Sequence, residues 1–432
     1  MAGQGSGARR RAVRCVALVM ALLTGPAAAA GCGASGAATD SRSPDDRTIQ
    51  RMLDRRAEAL LDRDGRGFLA AVDPRATGYR AQQRKVFRNL ADVPLDGWRY
   101  RLVRTGGFRP APGEGHRIAA EVRLGYRLKG YDTAPVESVQ RLTLTERGGR
   151  WYIAAEDART PDGRTRARPL WEQGEVTVVR GRSSLLLGVG QDERLLRRVA
   201  RTADGAVPAV DDAWRGRWAR RVVVLVPGSL QGMSALLGAP AASYRGIAAV
   251  TTGEAGGGGR APADRVVVNP EAYGLLGETG QGVVLTHETA HVATREDTSA
   301  ATPLWLSEGF ADWMGYRGTG RSVQEIASEL SGDAASGRLP RELPGDDDFG
   351  FAGGGGRLAA AYEGGWLACR MVAEQWGEVK LRQFYRAVGA QTTREGAVER
   401  ALHDVLGIGS EAFTARWRAY VAQELSPDGR TR

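Results

Sequence analysis

The segment of this chain that most restricts its fold is a short run with two histidines four positions apart. Residues 283–294 contain no glycine or proline and carry apolar side chains around His287 and His291, which predicts a helix. Residues four apart share one face of a helix, so both imidazoles can bind one metal ion with Glu288 beside it. Because the chain has only 4 histidines, composition alone would give this pattern in roughly a few sequences per thousand. The alternative is a surface helix with two partly exposed histidines.

A second predicted helix supplies a third metal ligand. The Thr-Pro pair at 302–303 is typical of a helix start, and residues 304–313 follow it with a helical pattern. Glu308 and Asp312 lie four apart, so one face offers a carboxylate ligand and a second carboxylate that can orient a ligand histidine through its free N–H. Two histidines and a glutamate are a ligand set of catalytic zinc, which keeps a fourth position open, whereas structural zinc usually has four ligands including cysteines.

Both segments resemble motifs of the gluzincin zinc metallopeptidases. Residues 287–291 read HETAH and residues 305–313 read WLSEGFADW, which is similar to the aminopeptidase-N-like and peptidase-MA-like families. The resemblance covers about residues 176–425. It implies Zn²⁺ as the cofactor, a peptide or protein as the substrate, and Glu288 as the general base. The implied zinc ligands are His287, His291 and Glu308.

A third segment extends the likeness and also marks its limits. Residues 362–365 read YEGG and resemble the aminopeptidase segment whose tyrosine hydrogen-bonds the tetrahedral intermediate. This resemblance implies that Tyr362 is the oxyanion donor; a helix-cap or core tyrosine is the alternative. The gap of 16 residues between His291 and Glu308 is shorter than in the aminopeptidases. The chain also has no Gly-x-Met-Glu-Asn segment, which anchors the free amine of a substrate in those enzymes, so we expect an endopeptidase rather than an aminopeptidase.

The N-terminal part predicts a separate domain of helices and strands. Apolar residues at helical spacing occupy 49–72, and residues 118–128 alternate apolar and charged side chains, as in a strand with one face in water. The Arg-Gly-Gly-Arg run at 147–150 predicts a hairpin turn. Helices followed by a long-stranded antiparallel sheet resemble the NTF2-like fold over residues 48–158.

The remainder predicts a sheet-bearing lobe followed by a helical lobe. A polar linker is predicted over 159–175, and beyond it short apolar runs alternate with helical stretches until the pattern becomes almost wholly helical at Gly282. The fold class is therefore α+β, with residues 176–425 forming, by the resemblance above, a gluzincin-type catalytic domain. Residues 266–269 are either an ordinary core strand or an edge strand that pairs with an extended peptide.

The first 31 residues predict an export signal. A basic start, a short apolar stretch over 15–24 and an alanine run lead to Gly31-Cys32. The apolar stretch is shorter than the roughly 20 residues of a membrane span. The sequence Ala-Ala-Gly-Cys at 29–32 resembles the lipobox of bacterial lipoproteins, which implies that Cys32 is acylated and anchored at the outer face of the cell membrane. Residues 32–47 show no periodicity and are predicted to form a flexible tether between this anchor and the first domain. Ordinary cleavage and secretion are the alternative.

Charge and cysteine content disfavour other classes of function. Without residues 1–31 the formal charge falls from +10 to +6, which is a modest excess. Arginine rather than lysine carries most of the positive charge along the whole sequence, which indicates a compositional habit rather than a binding patch. Nucleic-acid binding is therefore not expected. Cys15 lies in the predicted signal and Cys32 at its end, so Cys369 would be the free thiol of the exported protein. It lies in an apolar helical pattern, which favours a buried structural role.

Two other functions are compatible with these motifs. One is a non-catalytic, metal-containing envelope lipoprotein whose N-terminal domain acts as a binding module. Glu288 disfavours it, because a site that only binds metal has no use for a base beside the ion. The other is a hydrolase of a non-peptide amide or ester, since the same zinc chemistry serves both reactions.

Overall fold

The computed structural model describes residues 43–159, 165–252, 262–350 and 354–426. The predicted signal, Cys32 and residues 33–42 of the predicted tether lie outside the described residues, so export and acylation stay predictions. None of the described helices combines the length and the apolar character that a membrane span requires.

Three helices followed by four strands form the N-terminal part. Helix α1 begins where the Ser43 hydroxyl accepts a hydrogen bond from the Asp46 amide, with Pro44 in the first turn. The predicted helical region is divided, because Arg63 adopts a left-handed φ of 60° between α1 and α2. The elements are α1 (Pro44–Leu61), α2 (Gly65–Ala70), α3 (Thr77–Asn89), β1 (Leu95–Thr105), β2 (Arg117–Leu128), β3 (Val136–Arg147) and β4 (Arg150–Asp157).

These four strands form an antiparallel sheet in the order β1-β2-β3-β4. The β3–β4 turn consists of Gly148 and Gly149, whose φ values are 57° and 74°. A two-residue type I′ hairpin turn requires a positive φ at both positions, which glycine adopts readily. One face of the sheet buries Trp98, Val122 and Leu144 and packs on α1. The antiparallel sheet and its hairpin are confirmed, whereas the NTF2-like fold stays a prediction.

A mixed five-stranded sheet in the order β5-β6-β7-β9-β8 opens the C-terminal part. Strands β6, β7 and β9 are parallel, and β5 and β8 are antiparallel to their neighbours at the two edges. Its elements, with the helices between them, are α4 (Leu170–Gln173), β5 (Val176–Arg180), β6 (Ser184–Val189), α5 (Glu193–Trp214), β7 (Val222–Val226), α6 (Leu230–Leu237), β8 (Ala249–Thr252) and β9 (Arg265–Val268).

Strand β9 lies inside this sheet, between β7 and β8. The edge-strand alternative for residues 266–269 is therefore wrong, because both sides of β9 are already paired. Its three valines, at 266–268, are each 1% exposed and belong to the core. Among the described residues, the edge strand on this side is β8.

The predicted helical lobe is confirmed, since the regular elements described after β9 are all helical. They are α7 (Pro270–Gly274), α8 (Glu278–Thr294), α9 (Leu304–Tyr316), α10 (Val323–Ile326), α11 (Ser328–Ala335), α12 (Gly354–Trp376), α13 (Glu378–Gly389), α14 (Ala397–Ala401), a π-helical turn (Leu402–Leu406), α15 (Ser410–Glu424) and short 3₁₀ turns. Helix α9 packs between α8 and α12, and this arrangement positions the candidate site.

A buried ion pair and an aromatic contact join the two parts. Asp132, in the β2–β3 connection, lies 2.8 Å from Arg265 at the start of β9, and the two side chains are 0% and 8% exposed. The second oxygen of Asp132 accepts a hydrogen bond from the Ala263 amide at 3.0 Å. In the predicted linker, Trp171 of α4 packs edge-on against Tyr126 with 5.0 Å between ring centroids. The second half of the predicted linker is thus packed against the N-terminal sheet.

Candidate metal centre

Helix α8 carries the paired histidines through the interior of the protein. It packs against α5, α9 and β8, and nearly all of residues 283–294 are buried. His287, Glu288 and His291 are 1%, 0% and 5% exposed. The surface-helix alternative is therefore wrong. Burying three titratable groups side by side costs free energy unless each group has a compensating partner. Packing alone therefore does not explain why these three residues lie in the interior.

Helix α9 brings its carboxylates to the same face because glycines let it approach its neighbours closely. A Cβ atom at Gly315 would lie 3.1 Å from the carbonyl oxygen of Val283 on α8 and 3.7 Å from the Cβ of His287. A larger side chain at this position would push α9 away from α8. With glycine there, Glu308 reaches the histidines and is itself 1% exposed.

The donor atoms of the three predicted ligands face one another. Nε2 of His287 lies 3.0 Å from Nε2 of His291, and Oε2 of Glu308 lies 3.3 Å and 3.6 Å from these two atoms. Tetrahedral zinc with bonds of about 2.0–2.2 Å requires about 3.3–3.5 Å between its ligand atoms. Both carboxylate oxygens of Glu308 are buried without a hydrogen-bond partner among the described residues. This donor set is the one group within the described ranges that could hold a metal ion, and it fits Zn²⁺.

The three donor residues shift one another's pKa values in the metal-free chain. Burial lowers the pKa of His287, but Asp312 and Glu308 outweigh burial and raise that pKa well above 6.5. Burial lowers the pKa of His291. Burial acts to raise the pKa of Glu308, but the two histidines outweigh it and lower this pKa to about 2. The site therefore favours positive charge between the imidazoles and the carboxylate, and a bound metal ion would displace the proton on His287.

Asp312 lies one helical turn beyond Glu308 and contacts the other nitrogen of a ligand histidine. Its Oδ1 atom is 2.8 Å from Nδ1 of His287. If Nδ1–H donates to this carboxylate, the lone pair of the neutral ring is on Nε2, the atom that faces the other donors. Asp312 is thus placed to fix both the tautomer and the ring orientation of His287.

Glu288 combines complete burial with one free carboxylate oxygen. Its Oε2 accepts a hydrogen bond from the Thr251 hydroxyl at 2.6 Å, whereas its Oε1 has no partner among the described residues. Burial raises the pKa of Glu288 to about 7. A carboxyl group with a pKa near neutrality can both accept and release a proton at neutral pH, as a general base and acid must.

Tyr362 is the ninth residue of α12, so the helix-cap alternative is wrong. Its ring centroid is 6.4 Å from that of His287 and 5.1 Å from that of Phe349. The hydroxyl is buried and has no hydrogen-bond partner among the described residues. Burial, followed by the carboxylates of the site, raises the pKa of Tyr362 well above 10.0. A core tyrosine normally satisfies its hydroxyl, so this protonated and unpartnered donor fits a role toward a ligand.

Two further residues of the site, Thr251 and Phe349, carry no recognisable signal in the sequence. Thr251 lies in a short apolar strand 37 residues before the glutamate that it contacts. Phe349 ends the 3₁₀ turn Asp346–Phe349 and packs edge-on against Tyr362. A lone threonine or phenylalanine without a motif gives no signal, because its role arises from which elements the fold brings together.

Comparison of the chain with protein families, curated proteins and solved structures shows a distant structural likeness. No protein-family model matches the chain, and no curated protein matches it. Among solved structures, the chain is similar to a two-domain M1 zinc metallopeptidase, crystallised as a Glu-to-Ala variant bound to L-arginine. The similarity has a TM-score of 0.34 and 13% sequence identity, and it covers 77% of this chain and 96% of that chain. A TM-score this low does not establish a shared fold, so the assignment of function rests on the site itself.

Proposed function

We propose that this protein is a zinc-dependent peptidase in which Glu288 is the general base. The observation that carries the proposal is the free Oε1 atom of a fully buried Glu288 directly beside a His-His-Glu donor set. The donor set alone would bind a metal ion. The adjacent carboxylate is not needed to bind the ion, and its free Oε1 atom can accept a proton from a reactant.

The chain's own residues account for the proton transfers. A Zn²⁺ ion held by His287, His291 and Glu308 would act as a Lewis acid that polarises a peptide carbonyl and makes water a stronger nucleophile near neutral pH. Glu288 accepts the proton of the attacking water and then delivers it to the leaving amine. The Tyr362 hydroxyl donates a hydrogen bond to the carbonyl oxygen as negative charge develops there.

The substrate is proposed to be an internal segment of a peptide or protein. The chain lacks the Gly-x-Met-Glu-Asn segment that would hold a free amine. This absence favours an endopeptidase over an aminopeptidase.

We place this activity at the cell envelope, with the chain exported and held on the outer face of the membrane by an acylated Cys32. The lipobox-like sequence at 29–32 supports this location. Cys32→Ser is expected to move the protein from the membrane fraction to the medium or to leave it unprocessed. A wild-type chain found soluble with its N-terminus inside the alanine run would show simple secretion instead.

The experiment that tests the peptidase is digestion of a peptide library by the mature protein and by Glu288→Gln, each with its zinc content measured. Wild type is expected to cleave peptides with blocked N-termini at least as well as free ones, and Glu288→Gln is expected to keep zinc but lose cleavage. Equal cleavage by both proteins would remove the mechanism. Zinc binding without cleavage by either would favour the non-catalytic envelope lipoprotein, and cleavage confined to free N-termini would indicate an aminopeptidase.

A further inference from the structure

Among the described residues, Thr251 supplies the one side-chain hydrogen bond to the Glu288 carboxylate. Its hydroxyl lies 2.6 Å from Oε2 of Glu288 and 3.1 Å from the backbone carbonyl oxygen of the same residue. A hydroxyl has a single hydrogen, and the shorter contact to the more negative oxygen receives it. Thr251 itself is 1% exposed, so water does not compete for this hydrogen bond.

The position of this hydroxyl is fixed by the backbone on both sides of the contact. Thr251 pairs with Val266 across the β8–β9 ladder, and a β-branched side chain has few rotamers in a strand. Glu288 lies in the middle of α8, which packs against β8. A glutamate side chain has three torsions that are otherwise free to rotate, and the threonine hydroxyl fixes its far end.

The hydrogen bond makes the two oxygens of Glu288 unequal. Oε2 is occupied, whereas Oε1 is buried without any partner among the described residues. Buried carboxylate oxygens are normally satisfied, so an orphaned one indicates a missing ligand or a catalytic role. The oxygen left free is the one able to accept a proton from a reactant.

We propose that Thr251 is a positioning residue that holds Oε2 of Glu288 and thereby leaves Oε1 as the proton-accepting atom. This inference rests on the proposed function of Glu288 as general base. Thr251 does not touch the substrate or the metal ligands in this role. It acts through Glu288, and its removal lets the carboxylate rotate away from the reacting water while the metal ligands stay in place.

The first test is steady-state cleavage of one library-derived peptide by Thr251→Val, which keeps the shape of the side chain and removes the hydroxyl. We expect full zinc occupancy, a KM within about twofold of wild type, and a kcat lower by about 10–100-fold, the scale of a misplaced catalytic group. Thr251→Ser restores the hydroxyl and is expected to recover most of kcat. Thr145→Val is the matched control, because Thr145 is equally buried in β3 of the N-terminal sheet, where its hydroxyl bonds the His116 carbonyl.

The second test needs neither metal nor substrate. Melting temperatures of the metal-free chain are compared for wild type, Thr251→Val, Glu288→Ala and the double variant. If the two side chains stabilise one another, the loss on removing Thr251 is smaller in the Glu288→Ala background than in wild type. Strictly additive losses would mean that the contact is absent in solution and would overturn the inference.

The kinetic outcomes separate this inference from the proposed function. If wild type cleaves, Glu288→Gln does not, and Thr251→Val retains the wild-type kcat, then the positioning role is overturned and the peptidase stands. If wild type cleaves nothing, the peptidase fails and this inference fails with it. Should Thr251→Val not fold, Thr251→Ala provides the same comparison with a smaller side chain, again set against rescue by Thr251→Ser.

Discussion

Gly309 and Gly365 bring helices α9 and α12 into backbone contact. A Cβ atom added to Gly309 would lie 2.2 Å from the carbonyl oxygen of Gly365, and one added to Gly365 would lie 2.6 Å from the carbonyl oxygen of Trp305. Gly309 directly follows Glu308, and Gly365 lies three residues after Tyr362. This close approach therefore sets the distance between the third metal ligand and the candidate oxyanion donor.

Gly309→Ala is expected to destabilise the protein and to weaken zinc binding, because the new methyl group meets backbone that cannot move away without separating the two helices. Overpacking of this kind costs about 1–3 kcal/mol or more. Chemical denaturation and zinc titration measure the two effects. Gly332→Ala in α11 is the control, since a Cβ there meets nothing within 4 Å and alanine favours a helix. Equal behaviour of the two variants would contradict the proposed role of the contact.

Each of His287→Ala, His291→Ala and Glu308→Ala is expected to lower zinc occupancy, because each removes one of three protein ligands. Asp312→Asn removes only the charge that orients His287, and such changes lower metal affinity by about 10–100-fold. Metal analysis after dialysis checks all four variants. His403→Ala is the control, as the side chain of His403 is 81% exposed and far from any metal-ligand pattern. Full occupancy in the three alanine variants would show that the ligands have been assigned wrongly.

Zinc binding is expected to release protons at neutral pH, because Asp312 and Glu308 raise the pKa of His287 in the metal-free chain and the imidazole must be neutral to bind metal. Protons compete with zinc for this ring at every pH below its raised pKa, so zinc affinity should decrease as the pH falls. Calorimetry in buffers of different ionisation enthalpy counts the protons. Asp312→Asn should release fewer, since it removes the main group that raises this pKa. Proton release that is absent in wild type would contradict the charge state described for the site.

Tyr362→Phe is expected to fold normally and to bind zinc, yet to lose about 10²-fold in kcat with little change in KM, because the hydroxyl would act only on charge that develops during the reaction. Its hydroxyl has no internal partner among the described residues, so its removal should not destabilise the core. Steady-state kinetics with a matched thermal melt measure both. An unchanged kcat would leave Tyr362 as a core residue.

The pairing of His287 with His291, and of Glu308 with Asp312, could be predicted because each relationship is local. Two histidines four residues apart on a helix share a face whatever the rest of the fold does, and Glu308 and Asp312 follow the same rule. The Thr251–Glu288 contact could not be predicted, because it depends on which strand forms the edge of the sheet, and the sequence allowed β9 in that place. The buried Trp171 in a segment that reads as a polar linker shows the same limit: short elements are decided by tertiary packing.

The zinc titration of metal-free wild type and Glu288→Gln tests the central claim most directly, with bound metal and peptide hydrolysis followed in the same samples. Both proteins are expected to bind one Zn²⁺ per chain with similar affinity. Hydrolysis by wild type is expected to rise in proportion to bound metal and to saturate at one equivalent. Glu288→Gln should gain almost no activity at full occupancy. Hydrolysis by Glu288→Gln at the wild-type rate, or activity in wild type that does not follow bound zinc, would contradict it.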